Sequence, residues 1–174
     1  MEFNILVKTI LFPILQKYGF EIVEEFKDVI RFQSPVVKIN LVFNNREMSH
    51  LVEIGEPGKT LYPLTDHSIK LFFGLELPIE HVTSEIFAQN LSLLFETEKG
   101  LELLNGNIRS FTEYELLEIE DFNATLMRNQ LLESASKAWD AGDFMTFVKN
   151  VDEIGINKTP HSYQLKYKIA KQKM

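Results

Sequence analysis

Val36-Val37-Lys38-Ile39-Asn40-Leu41-Val42-Phe43 alternates along its length. Val37, Ile39, Leu41 and Phe43 fall on one face and Lys38 and Asn40 on the other, the period of two that marks a strand with one side buried. Three further β-rich runs surround it: Phe20 to Glu24, Val29 to Gln33 and His50 to Ile54. They are divided by Lys27-Asp28, by Ser34-Pro35 and by Asn44-Asn45-Arg46-Glu47, each of which carries turn residues. Four such runs in succession predict a four-stranded antiparallel meander.

Upstream of the meander the period changes to that of a helix. Phe3, Leu6, Val7, Ile10, Leu11, Ile14 and Leu15 recur at helical spacing up to Tyr18-Gly19, and the glycine suits a left-handed C-terminal position. Pro13 interrupts this helix, because proline removes one backbone bond and clashes with the preceding turn, so a kink or a restart is expected there. Packing this helix on the apolar face of the sheet gives both elements a covered side.

Beyond Gly55 the chain reads as helices. Thr65-Asp66 caps a short one ending near Phe73-Gly74. Thr83 or Ser84 caps another that carries Ile86, Phe87, Leu91, Leu94 and Phe95, with the apolar signal continuing to Asn105-Gly106-Asn107. A long helix from Ile108 to about Ala141 is expected to bury Phe111, Phe122, Leu126, Leu131, Leu132 and Trp139, and two shorter ones follow around Phe144 to Ile154 and Ser162 to Lys171. The fold class is therefore α+β: an N-terminal helix on a four-stranded antiparallel meander, followed by a C-terminal helical bundle. The length suits one domain over residues 1–174, or two lobes over 1–62 and 63–174.

Ala135, Ala138-Trp139 and Gly142-Asp143-Phe144 resemble the turn between the two helices of a tetratricopeptide unit, and Pro160 lies close to where that unit's proline stops its second helix. The likeness covers about forty residues, departs at Phe147, where the motif has a small residue, and has no sibling repeat upstream. It implies a helical hairpin over about 128–160 and, by extension, a peptide-binding adaptor; an ordinary antiparallel hairpin explains the same residues.

Charge narrows the partners. The formal net charge is −7, but five of the 18 basic residues, Lys158, Lys166, Lys168, Lys171 and Lys173, lie after the last acid, Glu153. The first 157 residues thus carry net −12 and the tail +5. An acidic body opposes nucleic acid, whose affinity comes from Lys and Arg displacing counterions. Glu113, Glu115, Glu118, Glu120 and Asp121 place five acids in nine residues without a base among them, and like charges at these spacings weaken a helix unless something basic neutralises them. These five are the candidate partner-binding residues. The basic tail is expected to dock on them within the chain.

Catalytic chemistry has no foothold in the pattern. Zero cysteines remove thiolate metal sites and cysteine nucleophiles and agree with a reducing compartment. His50, His67, His81 and His161 lack the pairing that presents two imidazoles on one helical face, so no metal or cofactor site is expected. Gly55-Glu56-Pro57-Gly58-Lys59-Thr60 ends like a phosphate loop, but two residues separate its glycines where four are needed and Pro63 stands where a helix should open. No catalytic residue is named. The start has an acid in place of a signal peptide's basic region, and no apolar run is long enough to span a membrane. The expectation is a soluble, cytoplasmic, bacterial-type binding protein, of immunity or inhibitor character, whose acidic surface meets a basic protein. The alternatives are the helical adaptor and an enzyme, of unknown reaction, with a pocket between sheet and helices lined by Tyr62, His67, His81 and nearby acids.

Overall fold

The computed structural model describes residues 2–174, and the chain divides into two compact units, Met1–Leu116 and Leu117–Met174.

The first unit opens with α1 (Phe3–Ile10) and α2 (Phe12–Lys17), the single predicted helix broken at Leu11. Pro13 sits in the first turn of α2, where a missing N–H costs nothing because no intrahelical partner exists for it. Phe3, Val7, Leu11 and Leu15 still share one buried face. Strands β1 (Glu21–Phe26), β2 (Val29–Gln33), β3 (Lys38–Asn44) and β4 (Ser49–Gly55) form the expected antiparallel meander. The strand alternation sets its register: Ile22, Phe32, Ile39 and Ile54 line up across the sheet, and Ile30, Leu41 and Val52 make a second row. The sheet has five strands where four are predicted. Tyr62–Pro63 (β5) adds a two-residue edge against Ile54 and Glu53, and proline is tolerated there because an outer edge needs no N–H.

Helix α3 (Asp66–Ser68) continues as one π-helical turn, Ile69–Phe73, which ends at Gly74 in the left-handed region. Thr65, not Asp66, is its cap; it accepts from the Ser68 N–H at 3.1 Å while Ser68 Oγ accepts from the Thr65 N–H. The Asp66 carboxylate instead takes the backbone N–H groups of Ile79 and Glu80, pinning the loop that leads to α4. Helices α4 (Ser84–Phe95) and α5 (Glu98–Leu104) are capped by Thr83 and Thr97. Leu64, Ile69, Ile79, Phe87, Leu91, Leu94, Phe95, Leu103 and Leu104 share one core with the sheet and α1.

Helix α6 (Arg109–Asp140) starts in this unit, where Ile108 and Phe111 are buried, and continues into the second. There its last turns form an antiparallel hairpin with α7 (Phe144–Ile154), joined at Gly142, and α8 (His161–Lys173) packs on α7. Ala135 and Ala138 let α7 approach closely, and Phe147 fills the gap, edge-on to Trp139 at 5.2 Å and stacked on Tyr163 at 6.0 Å. Three of the six buried apolar side chains described in this unit are alanines. So thin a core leaves little apolar area to hold 58 residues.

Candidate functional site

The acidic run splits. Glu113 is exposed and its Oε1 accepts from Arg109 Nε at 2.8 Å, one turn back along the helix. Glu115 is 6 % exposed: it lies four residues after Phe111, on the side of α6 that faces the core of the first unit. It therefore presents no surface to a partner. Glu118 is half-buried, and Glu120 and Asp121 are exposed.

Every residue from Ile119 to Gln130 is exposed. This stretch overturns the expectation that Phe122 and Leu126 are buried; Phe122 is 67 % exposed and Leu126 also faces solvent. Ile119, Phe122 and Leu126 stand at i, i+3 and i+7 and so share a face of the helix. Met127, also exposed, flanks it. The reason lies in the second unit: α7 covers α6 only from about Leu131 onward, where Ala135 and Ala138 are buried. Beside this stretch a groove of about 330 Å³ runs between Asp121, Ala124, Met127, Arg128 and Leu131 on α6 and Glu153, Ile154 and Lys158 at the end of α7 and the following turn.

The basic tail does not dock on the acids as expected. Lys166 Nζ lies 5.1 Å from the Trp139 ring and Lys173 Nζ 5.0 Å from that of Phe144. Lys171 is 3.9 Å from the Asp152 carboxylate. Tyr163 donates to the Leu132 carbonyl at 3.1 Å and Tyr167 to Asp152 at 2.5 Å. Aromatic faces, which attract cations, hold the lysine stems along the C-terminal turns of α6 and along α7.

A second feature lies in the first unit. His50, 4 % exposed, is stacked on Phe87 at 4.4 Å and on Phe43 at 4.8 Å, with Phe3 5.7 Å away. Its Nε2 shares a hydrogen bond with Ser84 Oγ at 3.1 Å. Burial lowers its pKa below the ordinary histidine value; the Glu80 carbonyl opposes this and the nearby His81 charge adds to it. Among the described residues Nδ1 has no hydrogen-bond partner. Ser84 lines a shallow cavity of about 810 Å³ with Phe3, Asn4, Lys8, Glu25 and Phe43. A serine and a histidine in hydrogen-bond reach are two members of a nucleophilic arrangement whose third member orients the imidazole. The arrangement serves to tie β4 to the first turn of α4. The strand pattern carried the signal for it: His50 precedes Val52 and Ile54 at steps of two, on their buried face.

The remaining candidates are apart. His67, His81 and His161 are exposed, and Tyr62 lines a separate cavity of about 570 Å³ with Lys59, Thr60 and Thr112. In the Gly55–Thr60 loop the Lys59 ammonium is tied to Glu56 at 2.6 Å and β5 follows in place of a helix, so no helix N-terminus faces the loop to hold phosphate. Among the described residues no group of three or more His, Asp or Glu is placed to hold a metal ion, and no helix is long and apolar enough to cross a membrane. No known protein family matches the sequence, no curated protein matches it, and no solved structure matches the fold.

Proposed function

We propose that this protein is a non-enzymatic binding protein that presents an acid-rimmed apolar face of α6 to a basic protein partner. One observation carries the reading: three turns of helix, Ile119 to Gln130, stand exposed, with Ile119, Phe122, Leu126 and Met127 following or flanking Glu120 and Asp121. Fully covering an exposed side chain of these types is worth about 1.5–3 kcal/mol, and these four, 44–67 % exposed, gain a fraction of it, less the cost of association. Large aromatic and aliphatic anchors of this kind supply most of an interface's energy, while Glu118, Glu120 and Asp121 select a basic partner and speed its approach. An inhibitor or immunity-type protein that covers a basic active site is one use of such a surface.

The test is affinity capture from native lysate at low and moderate salt, with the retained protein identified and its binding measured with purified components. A basic partner released by salt is expected. Capture should fail both for Phe122→Ser/Leu126→Ser and for Glu118→Gln/Glu120→Gln/Asp121→Asn. Equal retention by both variants would remove the basis of the proposal.

A further inference from the structure

Helix α8 is held in its unit by cations and rings rather than by aliphatic packing. Ala170 is its one buried side chain among the described residues, and its two large aliphatic residues, Leu165 and Ile169, stand exposed. The face it turns inward carries Tyr163, Lys166, Tyr167, Ala170 and Lys173, whose spacing keeps all five on one side of a helix. Each polar member has a partner across the groove. Tyr163 stacks on Phe147 at 6.0 Å, Lys166 Nζ lies 5.1 Å from the Trp139 ring, and Lys173 Nζ lies 5.0 Å from that of Phe144. Tyr167 donates to the Asp152 carboxylate at 2.5 Å, and Lys171 stands 3.9 Å from the same group. Helix α7, by contrast, buries Phe147, Val148, Asn150 and Val151.

We propose that α8 is a tethered occupant of a seat built by the last turns of α6 and by α7, and that the seat accepts a basic, tyrosine-bearing helix of a partner once α8 lifts away. The chemistry of the present occupant defines what fits: lysine stems laid over aromatic faces, a tyrosine ring on Phe147 and a cation or hydroxyl at Asp152. The connection permits the exchange. Gly155, at φ +87°, ends α7, and α8 begins after Pro160 with no side-chain cap. Off its seat, a helix of 13 residues is too short to persist in water, so docking and folding of α8 are one equilibrium. A short tether holds the effective concentration of α8 near millimolar, which lets weak contacts keep it in place and makes a free competitor bind less tightly than the seat alone would allow. This seat is separate from the exposed stretch Ile119 to Gln130, so the inference does not rest on the proposed function.

Two measurements on the full chain test it. Native-state hydrogen exchange should show the amides of α8 exchanging at least about tenfold faster than those of Phe147 to Val151, because α8 opens on its own. A fluorescein-labelled peptide of residues 160–174 is then titrated into the parent and into Lys166→Glu/Lys173→Glu, whose own α8 is weakened, with anisotropy as the readout. The variant should bind the peptide roughly tenfold more tightly than the parent does. Trp139, the chain's one tryptophan, should report the peptide's arrival through its fluorescence. A peptide carrying glutamate in place of both lysines should bind neither protein. Exchange of α8 together with α7 overturns the inference and needs no variant to read it. A peptide that binds neither protein, or both alike, also overturns it. Loss of lysate capture by Phe122→Ser/Leu126→Ser beside intact peptide binding leaves the seat standing, since the two surfaces are read separately.

Discussion

His50 Nε2 and Ser84 Oγ lie 3.1 Å apart, and that one bond links the last full strand of the meander to the first turn of α4. The backbone repeats the link, for the His50 N–H donates to the Glu80 carbonyl at 2.8 Å. The imidazole is walled by Phe3, Phe43 and Phe87, so the fold accepts it as a neutral ring and resists its charged form.

A pH dependence follows from that resistance. The folded pKa lies below the ordinary histidine value of 6.5, so below that pH the unfolded chain binds a proton that the folded chain refuses. The contribution is intact above about pH 6.5 and is lost as pH falls from there toward the folded pKa. His50→Phe keeps the ring stack, gives up the Ser84 bond at a cost of about 1 kcal/mol and removes this titration. Denaturant melts across pH 5 to 8 should show an acid-side loss in the parent that the variant lacks; parallel curves would refute the assignment.

Gly100 offers a case in which the usual rule reverses. Alanine normally stabilises a helix interior relative to glycine by about 0.5–1 kcal/mol. At Gly100 in α5, a Cβ would lie 2.1 Å from the Leu94 carbonyl oxygen and 2.8 Å from the Phe95 Cα, both backbone atoms at the end of α4. Gly100→Ala should therefore lower stability by about 1–3 kcal/mol or more. Thermal denaturation decides it by sign alone.

Thr97 caps the same helix, accepting from the Gly100 N–H at 3.1 Å while its hydroxyl donates to the Leu94 carbonyl at 2.7 Å. Thr97→Ala should cost about 1 kcal/mol and Thr97→Ser much less, since serine keeps the oxygen. Equal losses in urea denaturation would mean that the methyl group, not the cap, carries the effect.

How much of this was legible varied with the physics of each element. The meander was readable because one face of each strand is buried, and burial writes a period of two: Ile39 and Leu41 pair with Ile54 and Val52 as the alternation requires. Strand β5 was not, because two residues hold no period and Pro63 argues against a strand unless it lies at an edge. The break at Leu11 was readable from Pro13. The burial of Glu115 was hidden by its charge, although its spacing from Phe111 placed it on the core side. Charge totals point the tail at the acids of α6 because they ignore the rings of Trp139 and Phe144, which hold its lysines elsewhere.

Phe111 and Phe122 carry the last prediction, because they are the same residue type on the same helix with opposite surroundings. Phe111 is fully buried beside Phe72, whose ring centroid is 5.5 Å away, whereas Phe122 stands in solvent. Helical spacing marks both as apolar and cannot tell a residue that faces the core from one that awaits a partner, since the same hydrophobic effect selects each. Phe111→Ala should cost about 3–5 kcal/mol. Phe122→Ser should leave stability within about 0.5 kcal/mol, as exposed substitutions do, while weakening partner capture. Thermal melts read beside a binding measurement separate the two roles: a large stability loss at Phe122 would make it a structural residue and withdraw the surface from the binding proposal, whereas intact stability with lost binding assigns its apolar area to a partner.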